Sequence, residues 1–199
     1  MINILLVGVG GQGTVLAAKV LAQAAQSKGW QVRTAETIGM AQRGGSVVSH
    51  VRMGSEGEPV HAPLVAPGTA DVIVAFEPGE ACRALGYLKK GGTVVSAVEV
   101  VQPVTAALSS APYRSDEVVA GLKAALDAAG AKLELVDAAP ILEALGNRRA
   151  LNTVLLTAAV ASGAVPLSVG ELKEAIVACV KPRFAEMNLA AVDAANVEK

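Results

Sequence analysis

Charge is what this chain lacks most. Asp, Glu, Lys and Arg make up 18% of its 199 residues, hydrophobic residues make up 52%, and aromatics only 3%. So little charge is poor cover for a free surface and points to burial against a partner. The net charge of −1 leaves no electrostatic footprint for nucleic acid. Cysteine is nearly absent: Cys82 and Cys179 are far apart, without ligand spacing, and fit a reduced, cytoplasmic setting. His50 and His61 stand at metal-ligand spacing with no other His or Cys, so no metal is expected. No basic leader precedes the first strand. The longest apolar segment, 150–167, is interrupted by Asn152, Thr153, Thr157, Ser162, Gly163 and Pro166. It reads as buried helix and turn, and no membrane span is expected. No nucleophile elbow, Walker loop, paired-carboxylate spacing, iron–sulfur cysteine run or thiamine-anchoring Gly-Asp-Gly segment is present.

What the chain does have is glycine at one decisive place. Ile4-Leu5-Leu6-Val7 runs into Gly8-Val9-Gly10-Gly11-Gln12-Gly13-Thr14, and a helical pattern follows at once. Gly8, Gly10 and Gly13 have the G-x-G-x-x-G spacing of a strand, tight turn and helix. Without side chains the turn lets a ligand approach the backbone, and the last glycine lets the helix pack on the strand. The first N–H groups of the helix have no internal partners and suit an anion. A tight turn packed against a partner explains the same residues.

Taken in order, residues 12–28 predict a helix ended by Gly29, and residues 31–36 a second strand. Glu36 lies 23 residues past Gly13, where a dinucleotide-binding fold places its ribose acid. Glu36 pairing with Arg43 or Arg52 across the sheet is the alternative. Then the pattern changes. Residues 38–45 form a glycine-rich loop carrying Arg43, residues 46–53 alternate as a strand, and residues 60–64 suggest a short returning strand, which makes a hairpin. His50, alternating with Val48, is expected on one face of that strand, against solvent or a partner. Residues 70–76 form a continuous apolar strand; a helix follows from Glu77-Pro78 to about Leu88, stopped by Gly91-Gly92 ahead of a strand over 93–97. A possible edge strand lies around Val104. A helix over 116–129, a strand over 133–136 and a short helix over 138–145 precede three helical segments: 150–161, 168–179 capped by Ser168, and 182–195 opened by Pro182. The expectation is a single α/β domain over residues 1–199, Rossmann-like, with a mostly parallel sheet, an inserted hairpin and a helical C-terminal end.

Two motifs together resemble a known family. The glycine turn, followed by Gly39-Met40-Ala41-Gln42-Arg43-Gly44-Gly45-Ser46-Val47-Val48-Ser49-His50-Val51-Arg52, is similar to the gamma-type domain of the 2-oxoacid:ferredoxin oxidoreductases, above all in the branch serving indolepyruvate. Asp71 to Pro78, Asn152 and the helix containing Asn188 extend the likeness over nearly the whole chain. The resemblance implies the small subunit of an arylpyruvate:ferredoxin oxidoreductase, inactive alone, in a hetero-oligomer that oxidatively decarboxylates a 2-oxoacid to an acyl-CoA and passes electrons to ferredoxin. It implies that this chain binds no cofactor. Thiamine diphosphate, magnesium and iron–sulfur clusters would sit on a larger alpha subunit, with coenzyme A (CoA) as co-substrate.

The residues implied at an anion- or CoA-binding surface or an interface are Gly8, Gly10, Gly11, Gln12, Gly13, Thr14, Met40, Arg43, Gly44 and Gly45; none has an assigned catalytic role. Arg43 has the planar fork that pairs a carboxylate or phosphate, or it makes an interface salt bridge. Two other readings stay open: a free-standing NAD(P)-binding oxidoreductase using Gly8, Gly10, Gly13 and Glu36, and a non-catalytic assembly or regulatory module of the same fold.

Overall fold

The computed structural model of the chain describes residues 1–39, 44–103, 106, 108 and 114–197. Its elements in chain order are β1 (Ile2–Val9), α1 (Thr14–Ser27), β2 (Gln31–Ile38), β3 (Ser46–Gly54), β4 (Ala70–Ala75), α2 (Pro78–Ala84), β5 (Leu88–Ala97), α3 (Ser115–Ala129), β6 (Lys132–Val136), α4 (Ala139–Ala144), α5 (Leu151–Ala161), α6 (Val169–Cys179) and α7 (Ala185–Val197). Short 3-10 turns lead into β5, α5 and α7.

The strands form one sheet in the order β2-β3-β1-β4-β5-β6. The four strands β1, β4, β5 and β6 are mutually parallel, and β3 runs antiparallel to both β1 and β2. Because successive side chains point to opposite faces, the apolar runs of the parallel strands feed two cores. Ile4, Leu6, Val72, Val74 and Val95 face α1, α5 and α6. Leu5, Val7, Ile73, Ala75 and Val94 face α2 and α3. Ile4, Leu5, Leu6, Val7 and Phe76 are all fully buried, and each such aliphatic or aromatic side chain contributes about 1.5–3 kcal/mol by leaving water. A third cluster joins α4, α5 and α7.

The inserted hairpin is built differently from the sequence expectation. Residues 60–64 form no strand; the antiparallel partner of β3 is β2, with Val32 opposite Met53 and Glu36 opposite Ser49. The hairpin is thus β2–β3, closed by the 39–45 loop, and the other edge of β3 pairs with the distant β1; the alternating 46–53 segment marks a strand without naming either neighbour. The second helix also ends early, at Ala84, and Gly91-Gly92 lie inside β5 rather than stopping a helix. Gly91 has a φ of +71°, and the β4–β5 register shifts between Ala70 and Val72. The two glycines therefore open a bulge that redirects the start of β5. Val104 lies outside the described residues. Ser168 caps α6 as expected, accepting the Glu171 N–H while the Glu171 carboxylate accepts the Ser168 N–H. Among the described residues no helix is long and apolar enough to cross a membrane.

Candidate functional site

The order of the sheet fixes where a site is to be sought. From β1 the chain leaves one way to β2 and β3 and the other way to β4, so the switch point of the topology is the crevice between the carboxyl ends of β1 and β4. The glycine turn after β1 and the Phe76-Glu77 segment after β4 form its two walls.

Gln12 joins those walls. Its Oε1 accepts the Val9 N–H at 2.8 Å and its Nε2 donates to the Phe76 carbonyl at 3.0 Å. The fit explains Gly8: a Cβ there would stand 2.6 Å from Gln12 Oε1 and 3.0 Å from Phe76 Cβ. Gly13 is close-packed for another reason. It is the N-cap of α1 at φ +87°, and a Cβ would lie 3.0 Å from Asn152 Nδ2 on α5. Gly11 has φ +104° and open space around it, so backbone conformation alone calls for glycine there. The Gly10 N–H donates to the Gly45 carbonyl at 2.9 Å. This bond brings the base of the 39–45 loop onto the glycine turn, so the two sequence motifs meet. Met40 and Arg43 lie outside the described residues. Gly44, at φ +73°, and Gly45 close the loop beside the turn.

Among the described residues, the N–H groups of Gly11, Gly13, Thr14 and Val15 have no hydrogen-bond partner. The first turn of α1 carries no acidic side chain. These donors and the positive end of the helix dipole are suited to an anion.

Two carboxylates are buried on the same rim: Glu77, which the sequence shows only as a helix opening, and Glu80, which the sequence does not single out. Glu77, 3% exposed, accepts the Glu80 N–H at 2.8 Å and the Val101 N–H at 3.3 Å. Glu80, 4% exposed, accepts the Ser46 hydroxyl at 2.6 Å and pairs with Arg83. Both groups are taken up in bonds that tie β3, α2 and the segment after β5 together, so the pair stiffens the rim. The available signal was the Glu-Pro-x-Glu pattern, an acidic N-cap with proline in the first turn.

Glu36 is not where a dinucleotide fold needs it. It stands on the exposed edge strand opposite Ser49, with the whole of β3 between it and β1. At about 4.8 Å per strand that is some 10 Å from β1, twice the spacing of adjacent strands. Nor does it pair with Arg52, whose guanidinium bonds Asn3 Oδ1 and the Ala62 carbonyl. The dinucleotide reading loses its acid. His50 is corrected too: it is 3% exposed, its Nδ1 accepts the Val65 N–H at 3.2 Å, its ring meets Tyr87 edge-on, and burial pushes its pKa down. Burial likewise pushes the Cys82 and Cys179 thiols up. Among the described residues no group of His, Cys, Asp and Glu is placed to hold a metal ion.

A family model described as pyruvate ferredoxin/flavodoxin oxidoreductase matches residues 3–196. The chain belongs to this family. It is 39% identical to the indolepyruvate oxidoreductase subunit IorB of Thermococcus kodakarensis over 192 residues, covering 96% of this chain and 92% of that one. Its identity to IorB of Pyrococcus horikoshii is 38% over 191 residues, with the same coverage. The fold matches the keto/oxoacid ferredoxin oxidoreductase gamma subunit of Geobacter sulfurreducens with a TM-score of 0.70 at 22% identity, covering 98% of this chain and 96% of that one.

Proposed function

We propose that the chain is the small subunit of an arylpyruvate, specifically indolepyruvate, ferredoxin oxidoreductase complex. The observation that carries this reading is the end-to-end identity of more than a third with IorB subunits. The geometry supports it. The buried carboxylates Glu77 and Glu80 and the buried His50 are all held in bonds that serve the fold, which leaves binding and assembly as the work of this chain.

In this reading thiamine diphosphate, magnesium and the iron–sulfur clusters belong to a larger alpha subunit, CoA is a co-substrate of the complex, and ferredoxin takes the electrons in the cytoplasm. The cofactors carry the decarboxylation and electron transfer. This chain would supply the free amides of Gly11, Gly13, Thr14 and Val15 for an anionic group of the CoA, or for the partner's wall of the shared site. Gln12 holds that turn rigid against β4. Met40 and Arg43 would come from the loop whose base, Gly44-Gly45, docks on the turn, and Arg43 would meet a phosphate or carboxylate with its two-pronged guanidinium.

The test is co-purification with a turnover assay. Tagged chain drawn from its own cells should bring down a larger, brown, thiamine-dependent chain, and the pair should oxidise indolepyruvate with CoA and ferredoxin. The chain purified alone should be colourless and inactive. Cluster absorbance or turnover by the lone chain would refute the division of labour.

A further inference from the structure

A concavity adjoins the glycine turn on its α5 side, where Asn152 packs against Gly13. It is an open groove of about 590 Å3 between the start of α5 and the connection from α6 to α7, and Leu16 in the first turn of α1 is part of its wall. That volume lies within the usual range for small-molecule sites.

Its chemistry is one-sided. Arg149 and Lys181 stand on the rim, and no carboxylate side chain lines the groove. Among the described residues neither cation has an acidic partner, whereas the neighbouring Arg148 is paired with Glu99. The starts of two helices, α1 and α5, converge on the groove and add the positive ends of their dipoles. The C-terminal end of α6 opposes them in part, and Lys181 follows directly after it.

One buried group points to a ligand independently of those helix ends. Asn152 is 5% exposed and lines the groove. Its Oδ1 accepts the Thr153 N–H at 2.9 Å, which fixes the orientation of the amide, while its Nδ2 has no partner among the described residues. The Nδ2 end is the part of this largely buried side chain that reaches the groove, where a bound acceptor would take its hydrogen bond. Its neighbour Asn188 shows the contrast: there Oδ1 takes the Thr153 hydroxyl at 2.6 Å and Nδ2 gives to the Phe184 carbonyl at 2.7 Å. Beside these polar groups, Phe184 and Met187 offer apolar surface.

We infer that this groove binds a small organic anion with an apolar body. Arg149 and Lys181 hold the charged group, Asn152 Nδ2 donates to it, and Phe184 and Met187 cover the apolar part. The inference does not depend on the activity of the complex.

Nuclear magnetic resonance of the isotopically labelled full chain tests it. The probes are phenylacetate and phenyl phosphate, with phenylacetamide and acetate as controls that lack the charge or the ring. The two anions should shift the Asn152 side-chain amide and the Leu16 N–H saturably, and both controls should bind about tenfold more weakly or worse. Whichever anion binds more tightly identifies the charged group as carboxylate or phosphate. Arg149→Gln and Lys181→Gln alter exposed side chains and leave the fold intact; each should weaken anion binding about tenfold without changing phenylacetamide binding. Arg33→Gln, on the distant edge strand, should have no effect. The inference is overturned if phenylacetamide binds as well as phenylacetate, if neither cation substitution changes affinity, or if the anions produce no saturable shift at Asn152.

Discussion

Replacing Gly8 by Ala is the sharpest probe of the crevice. Gly8 needs no unusual φ, so the cost of a methyl there is entirely one of space. A Cβ would sit 2.6 Å from Gln12 Oε1, 3.0 Å from Phe76 Cβ and 3.2 Å from Thr14 Cγ2. The Gln12 amide can swing away, but only by giving up the Val9 N–H and the Phe76 carbonyl. Two half-buried polar groups left unpaired cost about 1 kcal/mol each at this solvent-reachable rim. Phe76 is fully buried and cannot retreat, and crowding of that kind adds about 1–2 kcal/mol. Gly8→Ala should therefore destabilise the chain by about 3–4 kcal/mol, and Gln12→Ala by about 2 kcal/mol. Because both remove the same two hydrogen bonds, the double variant should cost about 3–4 kcal/mol rather than the sum of about 5–6 kcal/mol. Guanidinium unfolding followed by far-ultraviolet circular dichroism, with unchanged m-values, measures all four corners of the cycle. Costs that add to within about 0.5 kcal/mol would refute the bridging role of Gln12, and a Gly8→Ala cost below about 1 kcal/mol would refute the close packing.

Four further outcomes are expected. Ser49 Oγ is fully buried and has no hydrogen-bond partner, so Ser49→Ala should raise stability by up to about 1 kcal/mol, and a clear loss in denaturant titration would contradict this. Ser168→Ala removes the capping box of α6 and should lower stability by about 1 kcal/mol in the same assay. His50 is held neutral by burial, below the ordinary imidazole value of 6.5, so only the unfolded chain gains a proton as pH falls through that value. Stability should therefore decline from there down to the folded pKa, and His50→Asn should flatten that part of a pH series of unfolding free energies. In the reconstituted complex Arg43→Ala should cost about 2–4 kcal/mol in kcat/KM with Arg43→Lys recovering only part; full recovery at saturating subunit would make Arg43 an interface residue instead.

Of the parallel strands, β1 and β4 were the most legible, because they are buried on both faces and read as unbroken apolar runs, Ile4 to Val7 and Val72 to Phe76. The glycine turn and the Ser168 cap were legible because their chemistry is local, set by residues three or four apart. The rest depends on groups that meet only in space. Nothing near residue 46 tells that β3 will stand between β1 and β2. Gln12 looks like a filler between glycines until Phe76 is beside it, and Gly13 gives no sign that Asn152 will press against it. Gly91-Gly92 misled because a bulge and a helix stop use the same freedom to adopt positive φ. Glu77 and Glu80 were missed because their burial follows from Ser46 and the segment at Val101 closing over them.

The place of β3 also sets an order of events as the chain leaves the ribosome. β2 emerges before β3 but touches the sheet only through it. Until Ser46–Gly54 has been made and laid alongside β1, β2 has nothing to pair with. α1, which joins β1 to β2, is then anchored at one end only. Completion of β3 converts three separate pieces into a sheet in one step. The lifetime of the nascent chain with an unpaired β2 is thus set by translation across the glycine-rich loop and β3, and a pause there would prolong the state most open to pairing with a neighbouring chain.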